Sequence, residues 1–282
     1  MIALIAAAVL SFEATEVRRL PAADADQGVA AAPGSLYAIS NHAISRIDAK
    51  TGREIVRWDG DPARFPHINS CTVERQTLIC AASNFPSVPM ISRIERFDAR
   101  TLRHLSTQEL GHGPGSLTWI VRHAGSWWAC FANYDGRGGE AGRDHRFTTL
   151  VRYGRDWRER ARWRLPDDVL DRMAPRSASG GAWGADGLLY VTGHDRPELY
   201  ALRVPPGGAT LGHVATIAIP TNGQAIAWDP RAPRLLWSIE RRSHELVASR
   251  IPAIGGRPHR SGGRHAGRTE AQAPAVKWTG RK

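Results

Sequence analysis

The stretch YVTGHDRPELYAL, residues 190–202, reads as an apolar strand that ends by setting His194, Asp195 and Arg196 in a row. An imidazole beside a carboxylate is a minimal kit for general acid–base chemistry. The neutral ring accepts and donates protons near neutral pH, and the carboxylate orients it and balances its charge. His67 in FPHINS and Glu240 in SIERRS bring the same capability from other parts of the chain. Gln27, Asn69, Asn133 and Gln224 are amides able to hold a polar substrate, and Trp119 in SLTWIV offers an apolar wall.

An overlapping set permits a second chemistry. Glu240, Asn84, Asn133 and Asp195 carry oxygens of the kind that hold Ca²⁺, or Zn²⁺ where histidine joins them. The cofactor expectation is therefore none, or one divalent metal ion. Each residue alone also has a plainer use, since Asn, Asp, Gly and Ser end strands everywhere by satisfying turns. Gln27, His67, Trp119, His194, Gln224 and Glu240 are not favoured turn formers, so as a group they point to a site. There is no G-x-S-x-G elbow, H-E-x-x-H pair, phosphate-cradling glycine loop or dinucleotide fingerprint, which argues against serine-hydrolase and nucleotide chemistry.

These residues are scattered over more than 200 positions, so a repeating framework must gather them. RIDAKTGREIVRW (46–58) and RFDARTLRHLSTQ (96–108) are two copies of a strand–turn–strand unit with Asp48 and Asp98 in equivalent places. In each, Asp and Thr bracket the turn. A second unit, apolar strand, turn, strand ending on small or polar residues, recurs five times, at GVAAAPGSLYAIS, NSCTVERQTLICAAS, LTWIVRHAGSWWACFAN, GGAWGADGLLYVTG and QAIAWDPRAPRLLWSI. Helical periodicity is confined to DDVLDRM (167–173). Short strands repeated radially predict an all-β protein, a β-propeller of five blades, with six as the alternative if 136–166 forms an irregular blade. The fifth unit lacks an outer strand, whereas ATEVRRLPA near the N-terminus has no unit of its own; the N-terminal strand is expected to close the last blade and remove two free edges.

In such blades the start of the first strand and the end of the second share one face. Strand starts bring Gln27, His67, Asn69, Ser116, Thr118, Ser177, Ser179 and Gln224 there. Strand exits bring Asn41, His42, Asn84, Asn133, Tyr134, His194, Asp195, Glu240 and Arg241. The expected site is the mouth of the central tunnel.

Net charge is +11, yet residues 251–282 hold seven Lys or Arg against one acidic residue. The basic excess is largely a tail property, and 253–282, rich in Gly, Arg, His and Ala, is expected to be disordered and to read no specific nucleic acid. The apolar run in residues 1–14 has the length of a signal-peptide core and not of a membrane span. That gives a signal peptide over 1–14, a propeller over 15–252, and a periplasmic or secreted monomer. In NSCTVERQTLIC, a two-residue turn at Arg75–Gln76 sets Cys71 opposite Cys80, as a disulfide or as two buried thiols; Cys130 is left over for the core.

Some segments are familiar. Gln27-Gly28, Leu36-Tyr37 and Asp48 to Gly52, with Leu189 to Gly193, Pro197, Leu199 and Tyr200, resemble the plant and bacterial type of glutaminyl-peptide cyclotransferase, whose segments are T-Q-G-L, L-Y, D-x-x-T-G and L-F-V-T-G-K-x-W-P-x-L-F-E. The resemblance implies a five-bladed propeller forming N-terminal pyroglutamate. This chain has His194 and Arg196 where that family carries Lys and Trp, and Gly115 to Trp119 in place of an acidic segment. The pattern is also similar to bacterial propeller proteins loosely labelled cycloisomerases.

Three functions follow as expectations. The first is non-redox acid–base chemistry on a small molecule or a peptide N-terminus, with His194 moving the proton, Asp195, Glu240 and His67 assisting, and Gln27, Asn69, Asn133, Gln224 and Trp119 holding the substrate. The second is a metal-dependent lactonase resembling gluconolactonases. The third is a non-catalytic binding module.

Overall fold

A computed structural model describes residues 9–206 and 209–254. Five sheets, antiparallel apart from one added edge strand, stand around one axis, so the five-bladed arrangement is the one formed. Blade 1 comprises Gly28–Ala32, Ser35–Ile39, Ala43–Asp48 and Glu54–Asp59; blade 2 comprises His67–Glu74, Thr77–Ser83, Ser92–Asp98 and His104–Gly111. Blade 3 comprises Ser116–His123, Ser126–Ala132, Thr149–Tyr153 and Glu159–Arg164, so the region 136–166 is a long loop plus two ordinary strands and no sixth blade. Blade 4 comprises Gly180–Trp183, Leu189–Thr192, Glu198–Arg203 and Gly212–Ala218, and blade 5 contains Ala227–Trp228, Leu235–Glu240 and Glu245–Arg250. The only α-helix among the described residues, Asp167–Met173, lies between blades 3 and 4, where the sequence placed it.

The first strand of each blade touches the first strands of its neighbours around the axis. Burial follows this radial order: Ser35–Ile39 is buried throughout, whereas Glu54–Asp59 at the rim alternates between exposed and half-buried. The core consists of apolar seams between blades. One joins Trp119, Cys130 and Leu150 of blade 3 to Leu189, Val191 and Tyr200 of blade 4. The repeated turns are alike: the amide and hydroxyl of Thr51 both donate to Asp48, and those of Thr101 to Asp98.

The N-terminal strand closes the ring. Thr15–Pro21 pairs antiparallel with Glu245–Arg250 as the fourth strand of blade 5, with Arg19 opposite Val247. Leu20 is buried among residues of blades 1 and 5, and Arg18 donates to the carbonyls of Ala49 and Lys50 in the first turn of blade 1. Sequence did not anticipate the strand before it. Leu10–Glu13, within the segment read as a leader, pairs in parallel with Gly212–Ala218 as a fifth strand of blade 4. Residues 1–8 and 255–282, most of the proposed leader core and tail, lie outside the described residues.

Cys71 pairs directly with Cys80 and the two form a disulfide, with a Cα–Cα distance of 4.0 Å. The connecting turn is Arg75–Gln76, with only Arg75 left-handed, at φ 59°. Cys130 is buried, and burial pushes its thiol up to about 12, so it is an inert core residue. No helix of the described residues is long and apolar enough to cross a membrane.

Candidate functional site

One end of the axis opens into a chamber of about 480 Å³ lined from all five blades. Strand exits supply Asn41, Phe85, Tyr134, His194 and Arg241; strand starts supply Gln27, His67, Asn69, Thr118, Ser179 and Gln224; loops add Pro66, Pro86, Arg137 and Arg176. The spacing is regular. Asn41, Phe85, Tyr134 and His194 each stand two residues beyond the last residue of their strand, and Arg241 stands one beyond Glu240.

Two β-bulges turn side chains inward. The register slips between Ile68 and Ser70 in blade 2, and between Leu117 and Trp119 in blade 3, and the residues within the slips, Asn69 and Thr118, face the chamber. Asn69 donates at 2.8 Å to the Leu117 carbonyl, which locks the two bulges together.

Gln224 is held more tightly still. Its backbone is left-handed, at φ 69°, a conformation costing a non-glycine residue about 1 kcal/mol. Its amide donates to Gly193 and its carbonyl accepts from Thr192. The side chain is 2% exposed and its Nε2 has no partner, as is true of Oδ1 of Asn41. Buried polar groups left unpartnered in a chamber wall are groups awaiting a ligand or water.

His194 is half-buried with its ring between two partners. Nδ1 lies 2.5 Å from Oδ1 of Asp195, and Nε2 lies 3.3 Å from Nη1 of Arg241. A guanidinium only donates, so Nε2 accepts and the proton sits on Nδ1, where it donates to Asp195. The ring is thus a neutral base with its lone pair on the chamber side. Burial lowers its pKa; the hydrogen bond and charge of Asp195 oppose that, while Arg241 and Arg176 add to it.

Burial also depresses His67, to about 4, opposed by its hydrogen bond with Asn69 and reinforced by the charges of Arg241 and His194. Its ring packs against Phe85 with centroids 5.1 Å apart. Burial pushes the Tyr134 phenol up to about 12, keeping it a proton donor at neutral pH.

The His67 shift has a consequence for stability. The unfolded chain takes up this proton near 6.5 and the folded chain only near 4, so acid favours unfolding. The contribution is intact above pH 6.5 and is lost as pH falls toward 4, amounting to about 2 kcal/mol by pH 5. Urea unfolding at pH 7 and pH 5 should show His67→Asn losing less stability than the parent between the two; an equal loss would place His67 in water.

The structure corrects several expected site residues. Glu240 is not in the chamber: it ends its strand with Oε1 accepting the Arg242 amide, and Arg241 takes the inward position. Asp195 lies outside, its side chain 59% exposed, and reaches the site only through His194. Trp119 is 1% exposed in the seam between blades 3 and 4, packed where Gly181 leaves room, and is a core residue. Asn133 is buried with its Nδ2 donating to Pro114 and Phe147, which makes it a loop anchor. Asn84 likewise holds a loop, bonded to Pro89 and Ile91. The four expected metal ligands, Glu240, Asn84, Asn133 and Asp195, therefore do not converge. Asp135, Asp144 and His145 are the one group of His, Cys, Asp or Glu side chains close enough to share an ion among the described residues, elsewhere in the blade 3 loop, with His145 Nδ1 already against Asp135.

Sequence reading missed Phe85, Arg137 and Arg176. Arg137 and Arg176 carry guanidiniums 5.9 and 5.8 Å from the Phe85 ring centroid. Their loops are joined by the Asp135 amide donating to Pro175, and Gly138, at φ +79°, lets the Arg137 loop close onto Phe85. Nothing in a chain with 38 Lys and Arg marks these two out.

No family model and no curated protein sequence matches the chain. Among solved structures it is similar to the PQQ-bound form of an aldose sugar dehydrogenase from Streptomyces coelicolor, at 17% identity and a TM-score of 0.53, covering 86% of this chain and 82% of that one. It is also similar to a luciferin-regenerating enzyme, at 9% identity, a TM-score of 0.49, and 84% and 94% coverage. A third is the β-propeller domain of Cps50 (Swd1) from Myceliophteria thermophila, at 12% identity, a TM-score of 0.42, and 79% and 82% coverage. At these identities the likeness shows the propeller fold alone, and it rests on the first. The resemblance to glutaminyl-peptide cyclotransferases has no family match beside it.

Proposed function

We propose that the chamber is the active site of a non-redox enzyme that rearranges a small polar molecule by proton transfer, in the manner of a cyclotransferase or cycloisomerase. The observation that carries this is the His194 ring: its tautomer is fixed by Asp195, and its Nε2 lone pair stands on the chamber side beside Arg241. A proton taken from the substrate by Nε2 leaves an imidazolium that Asp195 stabilises, and its return to another substrate atom restores the enzyme. No electron leaves the substrate and no co-reactant is required. Tyr134, protonated at neutral pH, is placed to donate, and Gln27, Asn69 and Gln224 orient the substrate. Asp195 is a positioning residue and not a catalytic one.

The dispersal of the four expected ligands weighs against the lactonase reading. The unpartnered amide of Gln224 favours a ligand site over a bare scaffold. We place the protein in the periplasm or outside the cell as a monomer; the Cys71–Cys80 disulfide supports an oxidising compartment.

The test uses an N-terminal glutaminyl dipeptide and cis,cis-muconate as probes. Turnover of one of them should fall about 10²–10⁴-fold in His194→Ala. The parent's kcat/KM should decline on acidification with a midpoint below 6.5, the direction in which burial moves His194. Unchanged turnover in folded His194→Ala overturns the proposal.

A further inference from the structure

The chamber wall holds the guanidiniums of Arg137, Arg176 and Arg241 and no Asp or Glu. None of the three arginines is ion-paired among the described residues. Elsewhere the chain does set arginines against carboxylates: Arg19 with Glu16 and Glu245, Arg57 with Asp24, Arg122 with Glu74, Arg172 with Glu198. Three like charges around a space of about 480 Å³ repel one another and attract small anions, and the walls concentrate that field. Both imidazoles at the site are neutral donors or acceptors and bring no negative charge.

We propose that the ligand of this chamber is a small organic anion carrying two acidic oxyanion groups, carboxylate or phosphate, and not a peptide amine. The inference rests on the reading of the chamber as the active site. Arg137 and Arg176, on joined loops and both over Phe85, form one seat; Arg241 is the other. A guanidinium presents a planar fork that matches an oxyanion with two hydrogen bonds. Arg241 now donates to Nε2 of His194. An anion drawing Arg241 onto itself uncovers that lone pair, so the second seat also brings the substrate's acidic end beside the base. A protonated peptide N-terminus would enter against three cations with no carboxylate to receive it.

The test is anion binding by the full chain, read apart from turnover. Citrate, pyrophosphate, inorganic phosphate and an N-terminal glutaminyl dipeptide are titrated by calorimetry at fixed ionic strength, and thermal unfolding is followed with each. Citrate or pyrophosphate should bind and raise Tm, citrate alone identifying carboxylate and pyrophosphate alone phosphate as the preferred group. Arg137→Gln/Arg176→Gln and Arg241→Gln should each weaken binding about tenfold or more. Without anions these variants should melt no lower than the parent, because each removes unpaired positive charge, which separates lost binding from lost folding. His194→Ala should bind the anions still, so anion binding with unchanged turnover in His194→Ala would sink the enzymatic reading and spare this one. Absence of any anion-dependent shift, a shift that survives in the arginine variants, or preferential binding of the dipeptide overturns the proposal.

Discussion

Removal of residues 1–21 is expected to abolish the native state, and removal of residues 1–14 is expected to leave it standing. The longer deletion takes out Thr15–Pro21, and with it the hydrogen-bonded edge of Glu245–Arg250, a strand whose residues Leu246 to Ser249 are buried. It also removes the buried Leu20 and both bonds from Arg18 to blade 1. Losing Leu20 alone costs about 2–4 kcal/mol. With the opened edge added, the loss approaches the roughly 5–15 kcal/mol that keeps a domain folded. The shorter deletion takes Leu10–Glu13 from the rim of blade 4, where Leu10 is half in water, for less than about 2 kcal/mol. Circular dichroism melts of the two proteins, with Leu20→Ala as an intermediate, check this. A cooperative melt for the protein lacking 1–21 near the parent's Tm would mean that blade 5 stands on three strands.

The second large effect is expected of Gly180→Ala. A Cβ there would sit 2.5 Å from the Gln224 carbonyl oxygen, 2.6 Å from Thr192 Oγ1 and 2.7 Å from the Ala225 Cα. Two of these are backbone atoms of the next blade's entry and cannot swing aside. The methyl must therefore push blade 5 outward or break the Thr192–Gln224 hydrogen bond, at about 3 kcal/mol or more. Because that bond fixes Gln224, the chamber should loosen with the seam, and anion binding should weaken alongside Tm. Gly212→Ala is the control: its nearest neighbours would be at 3.8 Å, and it should cost less than about 1 kcal/mol. Equal melting temperatures for the two variants would show that the seam yields.

The architecture was legible because it repeats. Asp48 and Asp98 sit in turns that make the same bonds, and ATEVRRLPA had no other place to go than the last blade. The rim was legible as a set of strand ends, but not as a set of inward-facing residues. At four exits the sequence offered two polar neighbours, and side chains one residue apart point to opposite sides of a strand. His194 and Asp195, Glu240 and Arg241, Asn133 and Tyr134 were all plausible pairs, and in each only one member faces the axis. The charge of that wall, which decides what it binds, follows from this parity and from two loop arginines. Bulges at Asn69 and Thr118 added slips that periodicity alone does not announce, and Trp119, one residue past a slip, fell on the packed side.

The pairing of Thr15–Pro21 with Glu245–Arg250 sets a clock. Arg19 and Glu245 meet across 226 intervening steps of chain. A polypeptide that emerges N-terminus first, from a ribosome or through an export pore, carries Thr15–Pro21 unmated until Glu245–Arg250 has arrived. Interactions of such long sequence separation slow folding, since loop entropy is lost before the contact is gained. Four blades can assemble as they appear, but the ring locks only once the chain through residue 250 is delivered. Products interrupted earlier expose a raw sheet edge, which marks them for aggregation or proteolysis.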